Sequence, residues 1–221
     1  LAYAYERSNG GLVAVDLVEE RDGKFFEIET GLEVKRVIAK MSKSLKNVVN
    51  PDDMISEYGT DALRMYEMVL GDFRDSAPWE PTGIVGVRRF LDRVHTTFTE
   101  GKNLAKDEMK TMKLLHKTVK KVGEDIEDYK FNTAISSLMI LLNEGLPTDS
   151  EFQTEWKEKF AILLHPFAPH MAEEIWNILG HKDSIYDAGW PSYDEWMLID
   201  DEVTIAVQVN GKLRGTFTFL N

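Results

Sequence analysis

Between Gly83 and Leu179 the chain repeats one pattern: apolar residues recur every three or four positions through consecutive segments. That period lines one side of a helix and cannot be satisfied by strands. The spacing predicts helices over about 83–101, 106–128, 131–144, 151–165 and 169–179, with ends defined to within a few residues. Helices joined this closely pack antiparallel around their Leu, Ile, Phe and Met stripes, as a bundle.

The flanks follow a different rule. Residues 12–19 and 24–30 are rich in β-branched and aromatic side chains and are joined by Arg21-Asp22-Gly23, a hairpin signal. Residues 34–39 add a further strand, which feeds a polar loop at 40–50. Asn50-Pro51-Asp52-Asp53 is a helix start: a cap, a proline suited to the first turn, and two acids at the positive end of the dipole. Gly59 ends that helix, and a second runs from Thr60-Asp61 to about Leu70. Residues 72–82 read as a loop with an exposed Trp79. At the far end Val203, Ile205, Val207 and Val209 alternate, as do Leu213, Phe217 and Phe219, around a hairpin turn at Asn210-Gly211. The expected fold is mainly α: a helical bundle flanked by β-rich segments and a C-terminal β-hairpin. The expected divisions are 1–39, 40–82, 83–180 and 181–221.

Composition narrows the chemistry. The 221 residues contain no cysteine, which excludes thiolate metal sites and a cysteine nucleophile. No apolar run approaches the roughly 18 residues that a membrane span needs. The net charge of −12 argues against a protein that coats nucleic acid with its whole surface. The charge is uneven, however. Residues 102–121 hold seven lysines against two acids, whereas residues 144–202 hold fourteen acids against three lysines. Lys106, Lys110, Lys113, Lys117 and Lys120 step by four, three, four and three, which lines one helix face. Met112, Leu115, Val119 and Val122 fall on another face, free to pack. The ridge is either a solvated face or a row of phosphate contacts.

Lys40-Met41-Ser42-Lys43-Ser44 is the densest cluster of donors in a loop. Each ammonium carries three N–H donors, and the serines add hydroxyls. Such a loop suits a polyphosphate and the charge that builds on a leaving pyrophosphate. The full string KMSKSLKNVVNPDDMISEYGTDALRMYEM resembles the KMSKS signature and following helix of class I aminoacyl-tRNA synthetases. Asn47, Val48, Pro51, Tyr58, Gly59, Asp61 and Arg64 fall at the family's spacing. "PWEPTGIVGVRRFLDRV" (78–94), "FNTAISSLM" (131–139) and "LLHPFAPHMAEEIW" (163–176) resemble the helical tRNA-binding part of the subgroup for aliphatic amino acids. "NVVNPDDMI", Pro78-Trp79 with Gly83 and Gly86, and "VQVNGKLRG" (207–215) point within it to the leucine branch. Three departures stand out: Lys46 where many relatives have glycine, Thr60 for a usual alanine, and His95 for a common aromatic.

The resemblance implies an ATP-dependent leucine–tRNA ligase that forms leucyl-adenylate and then charges tRNA(Leu). Lys40 and Lys43 would be the catalytic cations. Lys40, Met41, Ser42, Lys43 and Ser44 would bind ATP, which carries Mg²⁺, with no metal held by this chain itself. Lys106, Lys110, Lys113, Lys117 and Lys120 would touch the tRNA backbone. Residues 1–39 would be the end of the catalytic nucleotide-binding domain, 40–82 the KMSKS loop and a connecting segment, 83–180 the anticodon-binding bundle, and 181–221 a linker and the start of a C-terminal domain. The chain opens at Leu1 without an initiator Met and stops in a strand-like run, so both ends read as cuts. It has no His-x-Gly-His segment and no editing domain, so it is expected to be inactive alone. A cytoplasmic monomer is expected. The alternatives are the equivalent part of an isoleucine or valine enzyme, a free-standing tRNA-binding module, and an interaction domain of a multi-enzyme complex.

Other candidates read as structural. His165 and His170 are five apart with two prolines between, which suits a helix–helix corner better than a metal pair. Glu173 and Glu174 sit in the first turns of a helix. Trp156 and Trp176 have core spacing, which leaves Trp79 as the tryptophan to test for stacking on a base.

Overall fold

The computed structural model describes residues 1–72, 74–80, 82–199, 202–209 and 212–220. The chain begins with a five-stranded antiparallel sheet: β1 (Ala2–Glu6), β2 (Leu12–Val13), β3 (Val18–Arg21), β4 (Lys24–Glu27) and β5 (Glu33–Ala39), in the order β2-β1-β5-β4-β3. Asp22 and Gly23, with φ of 52° and 76°, make the tight turn of the β3–β4 hairpin. Both central residues of such a turn must be left-handed, which is why Asp-Gly serves there.

Three features differ from the sequence expectation, the first being that the strand expected over 24–30 ends at Glu27. The alternating Ala-Tyr-Ala-Tyr run forms β1, with Ala2 and Ala4 buried and Tyr3 and Tyr5 half-buried. Residues 12–19 are also not one strand. Val13 pairs with Tyr5 at one sheet edge, while Val18 pairs with Glu27 at the other, across a 3-10 turn at Val15–Leu17. In a flat sheet those edges would lie about 19 Å apart. Five steps of chain, partly coiled, reach less than about 17 Å. The sheet is therefore curled, and Ile28 N–H reaches Leu17 C=O at 2.9 Å.

Among the described residues, seven α-helices follow. They are α1 (Pro51–Tyr58), α2 (Thr60–Val69), α3 (Gly83–Glu100), α4 (Glu108–Glu127), α5 (Phe131–Glu144), α6 (Ser150–Leu164) and α7 (Pro169–Ile178). All five bundle helices fall within two residues of their expected bounds. Caps fix the starts of α4 and α6. The Asp107 carboxylate accepts from Lys110 N–H, and that of Asp149 from Glu151 and Phe152 N–H. Gly101, at φ 63°, closes α3. α4 buries Met112, Leu115, Val119 and Val122, as its period requires. The bundle interior centres on Trp156, stacked on Phe160 at 4.8 Å and flanked by Phe98.

Residues 181–199 lie on the bundle. Asp194 N–H donates to buried His116 Nδ1 at 2.9 Å, and Lys159 Nζ donates to Ser192 C=O at 2.8 Å. β6 (Glu202–Val209) and β7 (Lys212–Leu220) then pair antiparallel, with an irregularity at Val207/Gln208. The expected turn at Asn210-Gly211 lies outside the described residues.

Candidate functional site

The loop at 40–50 leaves the end of β5 with Lys40 exposed. Ser42 is extended, and its Oγ accepts from Leu45 N–H at 3.3 Å. This caps a single 3-10 turn, Lys43–Leu45. The Ser42 and Ser44 hydroxyls are 3.1 Å apart. Lys46 ends the turn in the left-handed region, at φ 54° and ψ 26°. For an L-residue with a side chain this conformation costs on the order of 1–2 kcal/mol, and glycine adopts it freely.

Asn47 follows, and it is buried. Its Oδ1 accepts from Ser42 N–H at 2.9 Å, and its Nδ2 donates to Tyr3 C=O at 3.3 Å. One amide thus closes the base of the turn and fastens it to β1. The sequence marks Asn47 only as a letter of the motif. A short polar amide after a tight turn is the local signal, but its partner in β1 lies 44 residues away.

Lys43 and Lys46 are exposed and share, with Val48, the lining of a cavity of about 330 Å³. Met41 is half-buried. Residues 40–50 contain no carboxylate, and Lys40, Lys43 and Lys46 form no ion pair among the described residues. A patch of cations and hydroxyls with no resident anion suits a polyanionic ligand.

The helices after the loop are tied to the bundle. Buried Asp61, in the first turn of α2, accepts from Met171 N–H at 2.7 Å and lies 2.7 Å from His170 Nδ1. It therefore caps α7, whose own N-cap, Ala168, has no side-chain acceptor. Arg64 donates to Pro166 C=O at 3.2 Å, and Arg88 donates to Tyr58 C=O at 3.0 Å. The 165–170 stretch is thus the helix–helix corner that its prolines suggest, with His170 engaged by Asp61 and His165 edge-on to Tyr186. Glu173 accepts from Ser184 Oγ and Ile185 N–H, a structural role.

The lysine ridge is more shared than its spacing suggests. Lys106 precedes α4 and is exposed. Lys110 pairs with Glu144 at 2.6 Å, and Lys120 with Glu124 at 3.7 Å. Lys113, Lys117 and Lys120 are half-buried. Trp79 differs from expectation. It is half-buried, packs edge-on against Tyr66 at 4.8 Å, and donates its backbone N–H to Leu1 C=O. Its ring packs against the core, and Gly83, which follows the loop, lets the Tyr66 ring approach within 3 Å of where a Cβ would stand. Trp156 and Trp176 are buried as expected, while Trp190 and Trp196 are the exposed ones.

A family model described as the anticodon-binding domain of tRNA ligase matches residues 110–220, and one described as tRNA synthetases class I (I, L, M and V) matches residues 25–77. The chain belongs to the tRNA ligase family that carries this anticodon-binding domain. Within it, the chain is 47% identical over 216 residues to a leucine–tRNA ligase of Borrelia hermsii, covering 96% of this chain and 25% of that protein. It is 45% identical over 216 residues to the corresponding protein of Borreliella burgdorferi, with the same coverage. Among solved structures, the ternary complex of Agrobacterium radiobacter K84 agnB2 LeuRS with tRNA and LeuAMS matches with a TM-score of 0.66 and 28% identity, over 82% of this chain and 25% of that one. The chain thus spans about a quarter of the length of the relatives it matches.

Proposed function

We propose that this segment serves an ATP-dependent leucine–tRNA ligase, supplying the loop that holds the ATP phosphates and the bundle that supports the tRNA. The observation that carries the reading is the loop at 40–50: exposed lysines and paired serine hydroxyls on a fixed turn, with no carboxylate among them. Adenylation displaces pyrophosphate at the α-phosphate, so negative charge builds on the leaving group. Lys40 and Lys43 stabilise that charge, Ser42 and Ser44 donate to phosphate oxygens, and Met41 anchors the loop. The loop offers no acid to a cation, so Mg²⁺ travels on the ATP phosphates. Leucyl transfer to tRNA(Leu) follows at the same catalytic centre. The reading places the ligase in the cytoplasm as a monomer.

On the bundle, Lys106, Lys110, Lys113, Lys117 and Lys120 face the RNA backbone. Lys110 and Lys120 then exchange Glu144 and Glu124 for phosphate, so their net gain is smaller than for an unshared lysine.

The test is amino-acid-dependent exchange of pyrophosphate into ATP by the ligase carrying this segment. Leucine is expected to stimulate exchange, and isoleucine and valine far less. Exchange driven by isoleucine or valine instead would contradict the leucine assignment.

A further inference from the structure

The chemistry of the loop resides in side chains that reach outward, yet a positioned ammonium is only as well placed as the backbone beneath it. Lys40 is held by β5, whose Ala39 pairs with Ala2. Lys43 has no such support. It opens a single 3-10 turn whose internal bonds are long: Leu45 N–H to Ser42 C=O at 3.2 Å, and Lys46 N–H to Lys43 C=O at 3.3 Å. The turn ends on a strained left-handed Lys46. Such a turn does not hold its own shape.

We propose that Asn47 is a positioning residue for adenylation: its amide closes the Lys43–Lys46 turn at Ser42 N–H and fastens it to Tyr3 C=O of β1, so that Lys43 meets the leaving pyrophosphate at a fixed place. The assignment rests on the function proposed above. Both hydrogen bonds are formed by one buried side chain, and they run in opposite directions, one accepting and one donating. Only an amide of this length provides both: a carboxylate cannot donate to Tyr3 C=O, and a hydroxyl is too short to span the gap. Strand β1 is in turn locked to β5 along Ala2–Glu6, so the loop is referenced to the sheet from which Lys40 departs. The two lysines then keep a constant separation across the phosphates.

The experiment uses the full ligase carrying this segment, with Asn47→Ala and Lys43→Ala measured in parallel. Two steps are followed: pyrophosphate exchange, and transfer to tRNA from supplied leucyl-adenylate. Rates are normalised to the fraction of molecules that bind tRNA. Asn47→Ala is expected to slow exchange about 10- to 100-fold, the size of effect that a misplacement of about 1 Å produces. Transfer is expected to stay within about twofold, because pyrophosphate has already left. Unchanged exchange, or an equal fall in both steps, overturns the proposal, the latter assigning Asn47 to the fold alone. If Asn47→Ala does not fold, Asn47→Asp keeps the volume and the acceptor for Ser42 and is judged by the same split. If Lys43→Ala leaves exchange intact, the phosphate-loop reading itself falls. If Lys43→Ala slows exchange and Asn47→Ala does not, only the present proposal falls.

Discussion

At the scale of single residues, buried polar atoms separate structural from functional roles. Asp61 and Asn47 are both buried and hydrogen-bonded, one as a remote cap of α7 and the other as the clasp between the 40–50 loop and β1. Removing the Asp61 cap with Asp61→Ala strips Met171 N–H and His170 of their partner. A loss of about 1–3 kcal/mol is expected in urea unfolding. Thr111 is the opposite case. It is fully buried in α4, and its Oγ1 has no hydrogen-bond partner among the described residues. Thr111→Val keeps the shape and removes the stranded hydroxyl, so it should be neutral or stabilising by up to about 1 kcal/mol. A loss beyond that size in the same measurement would show that the hydroxyl has a partner. What sequence reveals at this scale is uneven. Lys40, Lys43 and the serines announce themselves by type and spacing. Asn47 and Asp61 do not, because their partners, Tyr3 and Met171, lie 44 and 110 residues away.

At the scale of elements, periodicity is enough to place the bundle helices, and for α4 and α6 a local Asp cap also fixes the start. The sheet is less legible. β1 alternates alanine with tyrosine, a weak apolar signal, and the split of residues 12–19 between two sheet edges depends on curling that only the closed sheet imposes. Trp79 departs from expectation for the same reason: a loop position says nothing of the Tyr66 ring waiting beside it. The segment at 181–199 shows how a stretch with only two short 3-10 turns, Ile185–Asp187 and Glu195–Leu198, is held by the helices beneath it. Burial, with Lys159 adding to it, pushes the His116 imidazole below its ordinary value, against the opposing pull of Glu155 and Asp194. The neutral ring accepts from Asp194 N–H, and a protonated Nδ1 cannot. The unfolded chain therefore binds a proton that the folded chain resists. This stability is fully present above the unfolded value near pH 6.5 and is lost as pH falls through the lower folded value. Urea midpoints measured from pH 7.5 down to 5 should fall for the natural chain and fall less for His116→Gln. Parallel slopes for the two would show that His116 is not the group responsible.

Across the full length of the chain, the curled sheet, the loop, the α1–α2 elbow and the bundle are linked in series. Asn47 ties the loop to β1, Arg88 ties the end of α1 to α3, and Asp61 ties α2 to α7. On the proposed reading, phosphate chemistry at one end and tRNA support at the other would stand on one continuous frame. On the same reading, the lysine ridge supplies a salt-dependent part of that support. Replacing Lys106 and Lys117 with glutamine should weaken tRNA binding and flatten the plot of log affinity against log salt, by up to about 1 for each phosphate no longer neutralised. An unchanged slope would put the RNA elsewhere on the bundle.

All of this depends on the loop cations stabilising the charge of departing pyrophosphate. Pre-steady-state adenylation by the full ligase, natural and Lys43→Ala, isolates that effect. A drop of about 100- to 1000-fold in the adenylation rate is expected, comparable to the loss of one donor aimed at developing charge, with leucine affinity unchanged. An adenylation rate within a few-fold of the natural enzyme would refute the role assigned to the loop.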